Sequence, residues 1–408
     1  MNHSNFQIPE LVAGIRNIAT LNACKDYVEA VYFSLDSLSL RARAKDITKK
    51  SLPEFVQLIH ENDLKAYLTI NSVIYPQDME ELNNVMDIAK SSEVDAVICW
   101  DPAAIIKALD NDLKVHISTQ ANVSNIESVE FYHSLGAERV VLARELSLDN
   151  INDIRKQTTI ELEVFVHGAM CQSISGRCYL SSHLLGKSAN CGECTQPCRW
   201  KWSLVSDDGT VIDLNGNYLL SAKDLCMIEH LSELVDIGID AFKIEGRLRD
   251  SRYISKVASS YSRALSYLNY DDDYSINLSL LKDELSSVYN RGFSTGYYFG
   301  NSSKHNFMIE HDMNASTTKK KAIGIVTNYY NKQGAALIHL QQGSISLGDV
   351  MVIEGKTTFL EQTVNSIVID GVFVEHAAKS NEVGIKVDQK VRKNDIVFKL
   401  EQNQKSFN

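Results

Sequence analysis

The stretch ELEVFVHGAMCQSISGRCYLSSHLLGKSANCGECTQPCRW (161–200) begins as a run of β-forming residues, Leu162 to Gly168, and continues directly into five of the chain's eight cysteines. The run is the seventh of a series. Short apolar runs rich in Val and Ile precede it at Leu11 to Ile15, Ala30 to Leu35, Ala66 to Asn71, Ala96 to Asp101, Lys114 to Gln120 and Arg139 to Glu145, and an eighth follows at Ala241 to Arg247. Segments with helical spacing lie between them, at 52–62, 78–91, 125–135 and 148–156, and a further helix follows the eighth run from Ser251 to about Tyr267. Such alternation is the mark of parallel βα units, and eight of them close into a (β/α)8, TIM-like barrel. The expected fold class is therefore α/β, with a barrel over residues 1–270.

A barrel of this kind carries its chemistry at the carboxyl ends of its strands. The runs end on Asn71, Asp101, Ser118 with Gln120, Arg144 with Glu145, His167, and Glu245 with Arg247. Any one of these has an ordinary structural explanation as a cap or a surface residue; together they predict a polar ring around one mouth. Between the seventh and eighth runs the chain departs for about 70 residues, far more than an ordinary βα loop. This excursion, 171–240, holds the cysteines, then KWSLVSDDGTVIDL (201–214), which reads as a hairpin about an Asp-Gly turn, then a helix expected to be capped by Asp224 and to run to about Ile237.

Beyond the barrel, residues 271–320 read as a connector packed against it, with one amphipathic helix near Leu280 to Tyr289 and the aromatic, glycine-rich run NRGFSTGYYFG (290–300). From Ala322 the runs are short and alternating, which predicts a small β-barrel over 321–400. The 408-residue chain has 44% hydrophobic and 23% charged residues, which excludes a mainly disordered protein. No apolar run approaches the roughly 18 residues that a spanning helix needs, and the amino terminus has neither a basic start nor an apolar signal core; the expectation is a cytoplasmic protein without a membrane partner. The formal charge of −11 argues against a polyanion partner for the chain as a whole. It is unevenly spread, because Lys319 to Leu400 holds eleven Lys and Arg against eight Asp and Glu.

Cys171, Cys178, Cys194 and Cys198 are spaced C-x6-C-x15-C-x3-C, and Cys191 adds a C-x2-C pair with Cys194. In a reducing compartment dense cysteines ligate metals or do redox chemistry more often than they form disulfides. Soft thiolates at these spacings suit a structural zinc or an iron–sulfur cluster, and spacing leaves both open. Cys24, Cys99 and Cys226 read as packing residues.

The run EVFVHGAMCQSISGRCYLSS, followed by CTQPCRW, resembles the signature of the collagenase-like peptidase family of unassigned catalytic type, and the likeness extends to HISTQAN (116–122), FKIEGRLR (242–249) and NRGFSTGYYFG. One departure is the first strand, ELVAGIRN (10–17), where the family reads roughly ELLAPAGN. Members with this architecture are closest to bacterial proteins of prephenate-dependent tRNA wobble-uridine hydroxylation. The resemblance implies a [4Fe-4S] cluster on Cys171, Cys178, Cys194 and Cys198, with zinc as the alternative. On that reading Arg144 and Arg247, with Asn71 and Gln120, bind prephenate or a similar small carboxylate, His167 and Glu245 move a proton, and Lys319, Lys320 and Lys321 at the entry of the β-barrel bind tRNA. Two competing functions remain. One is a peptidase with a Cys171 nucleophile and His167 or His183 as base, although the chain has no H-E-x-x-H helix. The other is a zinc-stabilised scaffold that binds RNA or protein without catalysis.

Overall fold

The computed structural model describes residues 8–40, 46–174, 177–212, 218, 220–268, 274–300 and 314–403; the acidic run 271–273 and part of the expected connector, 301–313, lie outside them. Eight parallel strands close a barrel: β1 (Glu10–Gly14), β2 (Ala30–Ser34), β3 (Lys65–Ile70), β4 (Ala96–Cys99), β5 (Val115–Ile117), β6 (Arg139–Val141), β7 (Glu161–Ala169) and β8 (Ala241–Ile244). Each pairs with the next, and β8 pairs with both β7 and β1. The helices on its outside include α1 (Ile18–Cys24), α2 (Leu52–His60), α3 (Met79–Ser91), α4 (Pro102–Asp110), α5 (Ile126–Ser134) and α6 (Leu148–Arg155). Local chemistry starts several of them: Asn17, Asp101, Asn125 and Ser147 each accept a backbone N–H from the first turn.

Closure brings β1 and β8 so close that only glycine fits at their ends. A Cβ on Gly246 would stand 2.6 Å from the Gly14 oxygen, and one on Gly14 would stand 2.7 Å from the Tyr32 hydroxyl.

Two apolar layers hold the barrel. The larger lies between strands and helices and buries Phe33, Leu68, Val140 and Ile244 among many others. The smaller fills the lumen with Val12, Ala30, Tyr32, Tyr67, Ala96, Ile98 and Ala241. The amino-terminal end of the lumen is ionic instead. Arg139 reaches Glu10 at 2.8 Å, Glu161 at 2.6 Å and Glu163 at 3.2 Å, and Lys243 reaches Glu163 at 2.5 Å. Tyr67 donates its hydroxyl to Glu10 at 2.8 Å. Burial would raise the Glu10 carboxyl, but the bonds from Arg139 and Lys65 prevail and hold it below its usual range.

The excursion after β7 contains α7 (Leu180–Leu185) and a hairpin of Leu204–Val205 with Val211–Ile212, which meet about the expected turn. Asp224 corrects the sequence reading. It does not cap a helix: Asp224–Cys226 is a short strand antiparallel to the end of β7 and parallel to Phe293–Ser294. The helix α8 (Leu231–Ile237) begins later. Asp224 is buried because it receives Arg291 at 2.6 Å, so its carboxylate serves packing between the excursion and the segment after the barrel. Cys24, Cys99 and Cys226 are buried as packing residues.

After β8 come α9 (Ser251–Tyr267) and α10 (Tyr274–Ser286). The carboxyl-terminal region is antiparallel throughout. Its eight-stranded sheet has Thr318–Tyr330, Ala335–Leu340, Val350–Glu354 and Ile396–Gln402 near its centre, curled around a core of its own that includes Ile338, Met351, Ile353 and Val397. It packs against α1 and α9: Asn22 donates to the Thr357 carbonyl, Arg252 and Lys256 reach Glu361 at 2.8 and 3.0 Å, and Lys320 bridges Asp250 and Glu354, 2.7 Å from each.

Candidate functional site

At the carboxyl ends of the strands lies a cavity of about 270 Å³. Nine of the residues proposed from the sequence line it: Asn71, Gln120, Arg144, Glu245 and Arg247 from the strand ends, and Cys171, Cys178, Cys194 and Cys198 from the excursion. Residues as distant in sequence as Asn71 and Arg247 meet because the strand ends converge and the excursion folds back over them. Arg199 fastens that fold. Its buried guanidinium donates to the Ala222 carbonyl at 2.6 Å and to the Met170 carbonyl, tying the start of the excursion to its later part through one side chain.

The cavity is rich in cations. Arg247 donates to Ser39 at 3.0 Å and to Thr69 at 2.7 Å. Arg144 lies over the Phe165 ring, 3.9 Å from its centre, donates to the Ala169 carbonyl at 3.1 Å, and stands 3.9 Å from Glu245. The Arg144 Nε is buried with no hydrogen-bond partner among the described residues. Lys243 also lines the cavity, and its ammonium sits 4.2 Å from the centre of the Tyr32 ring. Burial lowers the Lys243 pKa, with Glu163 acting the other way. Glu245 is the one acid among the described lining residues. Among the described lining residues Arg144, Arg247 and Lys243 stand against Glu245, and Lys243 is also paired with Glu163 at 2.5 Å. Asn71 is oriented by the Leu40 N–H, 3.1 Å from its Oδ1.

The four thiols share the excursion's side of the cavity. The Leu180 N–H donates to the Cys178 sulfur at 3.4 Å, and the Asn190 Oδ1 accepts the Cys178 N–H at 3.2 Å. The Cys198 thiol is pushed up by burial; Arg199 opposes this, and the neighbouring Cys171, Cys194 and Cys178 add to it. Cys191 is not among these neighbours. It does not line the cavity, and it lies instead beside the Tyr75 hydroxyl, whose pKa it raises. Among the described residues no three His, Cys, Asp or Glu side chains gather closely enough around one point to hold a single ion.

His167 requires a correction. Its ring is buried outside the lumen, 3.3 Å from the Tyr261 hydroxyl of α9 and packed between Tyr261, Tyr253 and Phe293. Burial drops its pKa to about 3. The chain turns at Gly168 (φ 112°), and His167 pairs with β8 across a register shift; the alternation that aims Glu163 and Phe165 inward therefore sends His167 to the helices. Asp101 caps α4 and accepts the Ile74 N–H, and Glu145 is exposed away from the cavity. Lys320 is likewise no free surface cation but the bridge between Asp250 and Glu354, while Lys319 and Lys321 remain about half exposed beside Glu401. Sequence reasoning missed Tyr32, Thr69 and Lys243, which sit within strands rather than at their ends; the inward period of two was the available signal.

Fold and cavity define a (β/α)8-barrel protein whose mouth is roofed by a thiol-bearing excursion. The chain belongs to peptidase family U32, whose family model matches residues 17–307. It is 43% identical to an uncharacterized protease of Methanocaldococcus jannaschii over 96% of this chain and 98% of the relative. It is 34% identical to a collagenase of Porphyromonas gingivalis over 99% and 100%, and 32% identical to tRNA hydroxylation protein P1 of Bacillus subtilis over 82% and 80%.

Proposed function

We propose that this chain is an RNA-hydroxylating enzyme that holds a [4Fe-4S] cluster on Cys171, Cys178, Cys194 and Cys198 and binds a small carboxylate such as prephenate beside it, with the wobble uridine of tRNA as its substrate. The observation that carries the reading is the convergence of those four thiols on the cavity that Arg144 and Arg247 make cationic. The likeness to a tRNA hydroxylation protein supports it. The residues fit the cluster: four thiols face one space, a backbone N–H already donates to one sulfur, and Cys191 is directed elsewhere. A structural zinc on the same thiols is the alternative, and metal analysis separates the two.

When bound, the cluster supplies one-electron chemistry. The protein's own groups do the rest. Arg144 and Arg247, with Lys243 below them, bind and orient a dicarboxylate. Asn71 and Gln120 offer amide groups to its polar edge. Glu245, 3.9 Å from Arg144, is the group placed to hold or take a proton within the cavity. Peptide hydrolysis through Cys171 would need a neighbouring base, yet no histidine lines the described cavity: His167 faces α9 and His183 is exposed on α7.

The test is iron and sulfide analysis of anaerobically purified protein, paired with mass spectrometry of tRNA nucleosides from cells with and without the gene. Wild type is expected to hold about four irons per chain, Cys178→Ala to lose nearly all of them, and Cys191→Ala to keep them. Iron retained by Cys178→Ala would overturn the ligand set, one zinc in place of iron would overturn the cluster, and hydroxyuridine unchanged by loss of the gene would overturn the reaction.

A further inference from the structure

A second hollow, of about 290 Å³, opens beside the main cavity and shares Leu40 and Gln120 with it. Its other walls are Val73, Trp100, Arg177, Tyr179 and Asn190. The Arg177 guanidinium lies over the Trp100 ring, 4.5 Å from its centre. Both members of this stack are pinned to the backbone of residues that line the main cavity: Trp100 Nε1 donates to the Asn71 carbonyl at 2.9 Å, and Arg177 Nε donates to the Gln120 carbonyl at 3.1 Å. Tyr179 stands 78% exposed at the rim, and Tyr75 is 42% exposed nearby. Asn190, on the wall of the hollow, accepts the Cys178 N–H with its Oδ1, a bond that does not use its amide N–H groups.

Flat π surfaces, one of them cationic, together with amide donors at the edge, are the chemistry that recognises an unpaired nucleobase. A peptide would instead call for an open strand edge or a row of apolar sockets. We propose that this hollow receives an unpaired base of single-stranded RNA adjacent to the nucleotide that enters the main cavity, with Tyr179 stacking on it, the Arg177–Trp100 stack forming the wall, and Asn190 donating to its edge. The inference rests on the RNA reading above and deepens it: the substrate must present its target in a loop, with a neighbour also unstacked. Because Gln120 belongs to both walls, a base in the hollow and a base in the cavity would be held one against each side of the same residue.

The experiment measures binding of a stem-loop RNA and of a fully paired RNA duplex to the full chain at constant salt, in wild type, Tyr179→Ala and Tyr179→Phe. The loop carries 4-thiouridine for photo-crosslinking and peptide mapping. Wild type is expected to prefer the stem-loop and to crosslink at Tyr179 or Trp100. Tyr179→Ala should lose about 5- to 150-fold in stem-loop affinity, the range of one base–aromatic stack, with duplex binding unchanged and Tyr179→Phe close to wild type. Tyr179 is largely solvent-exposed, so its loss should leave the far-ultraviolet circular dichroism unaltered. Stem-loop binding that survives Tyr179→Ala, with crosslinks elsewhere, overturns the hollow and leaves the RNA reading standing. Wild-type protein that binds neither RNA overturns both.

Discussion

Two groups of charge share the lumen of this barrel, and they are built on opposite terms. At the amino-terminal end Arg139 meets three carboxylates within 3.2 Å, and Lys243 closes on Glu163 at 2.5 Å. At the carboxyl end Arg144 stands 3.9 Å from Glu245 and leans on an aromatic face, while Arg247 is held by two hydroxyls. The first group balances charge against charge at contact distance. In the second, a carboxylate at 3.9 Å, a ring face and two hydroxyls are the described contacts of cations that line a cavity. The difference separates charge paired within the fold from charge that lines a cavity, and Lys243 belongs to both groups, as the top of one and the floor of the other.

The largest effect is expected where the balance is complete. Removing one partner of a buried ion pair strands the rest and typically costs about 3–5 kcal/mol. Arg139→Ala, which would leave Glu163 with Lys243 alone and Glu10 with Lys65 and Tyr67, should therefore lower unfolding free energy by up to about that amount in urea titrations, without altering which ligands the surviving folded protein binds. A loss near zero would mean that the ionic floor is plastic and that the contrast with the cavity is false.

The second group should respond in the opposite sense. Arg247→Ala should weaken binding of prephenate by about 2–5 kcal/mol, roughly 30-fold or more, while iron content stays at the wild-type level. Calorimetry with prephenate, chorismate and a neutral analogue decides it. Equal binding by variant and wild type would reassign Arg247 to the structural class.

Much of this contrast lay within reach of the sequence and part of it did not. Each barrel strand falls on an apolar run, because parallel strands covered on both sides read as continuous β-branched segments. The mouth residues Asn71, Gln120, Arg144, Glu245 and Arg247 could be found because they end such runs. The ionic floor could not, since Glu163 and Lys243 appear as isolated charges inside apolar strands, and only closure of the barrel brings them together across 80 residues. His167 misled for a related reason: the end of β7 combines a register shift with a positive-φ glycine, and one such step reverses the face on which a side chain emerges. Asp224 misled because a short acidic strand and a helix cap look alike until Arg291 arrives from 67 residues away.

His167 supplies a smaller test of the same division. Its pKa of about 3 in the folded protein lies below the 6.5 of an unperturbed histidine, because burial disfavours the charged ring. The unfolded chain therefore takes up a proton that the folded one refuses, so stability is lost as pH falls from 6.5 toward 3. At pH 5.5 the loss from this residue amounts to about 1.4 kcal/mol. His167→Gln should show a shallower decline of unfolding free energy between pH 7 and 5.5, with part of the decline retained because burial also depresses His116. An unchanged pH profile, or an altered pH dependence of ligand binding with stability unaffected, would return His167 to the chemistry of the mouth.

The smallest effect is expected at the surface, where the triple-lysine entry to the carboxyl-terminal sheet divides along the same line. The strand alternates, so Lys319 and Lys321 project to one side, at 3.7 and 3.0 Å from the two oxygens of Glu401. Lys320 projects to the other, into the pair of Asp250 and Glu354. Only the first two are available to phosphates, and each does so in competition with a carboxylate already beside it. Each phosphate contact contributes about 0.7–0.9 to the slope of log affinity against log salt. Replacing Lys319 and Lys321 together by Gln should therefore lower that slope for a tRNA ligand by less than about 1.8. Lys320→Gln should leave the slope unchanged and instead lower the thermal midpoint, because Asp250 and Glu354 would face each other without their cation. An unchanged slope in the double variant would make the local basic excess a solvated face, and a reduced slope in Lys320→Gln would show that the bridge opens to RNA, which would remove this lysine from the structural class.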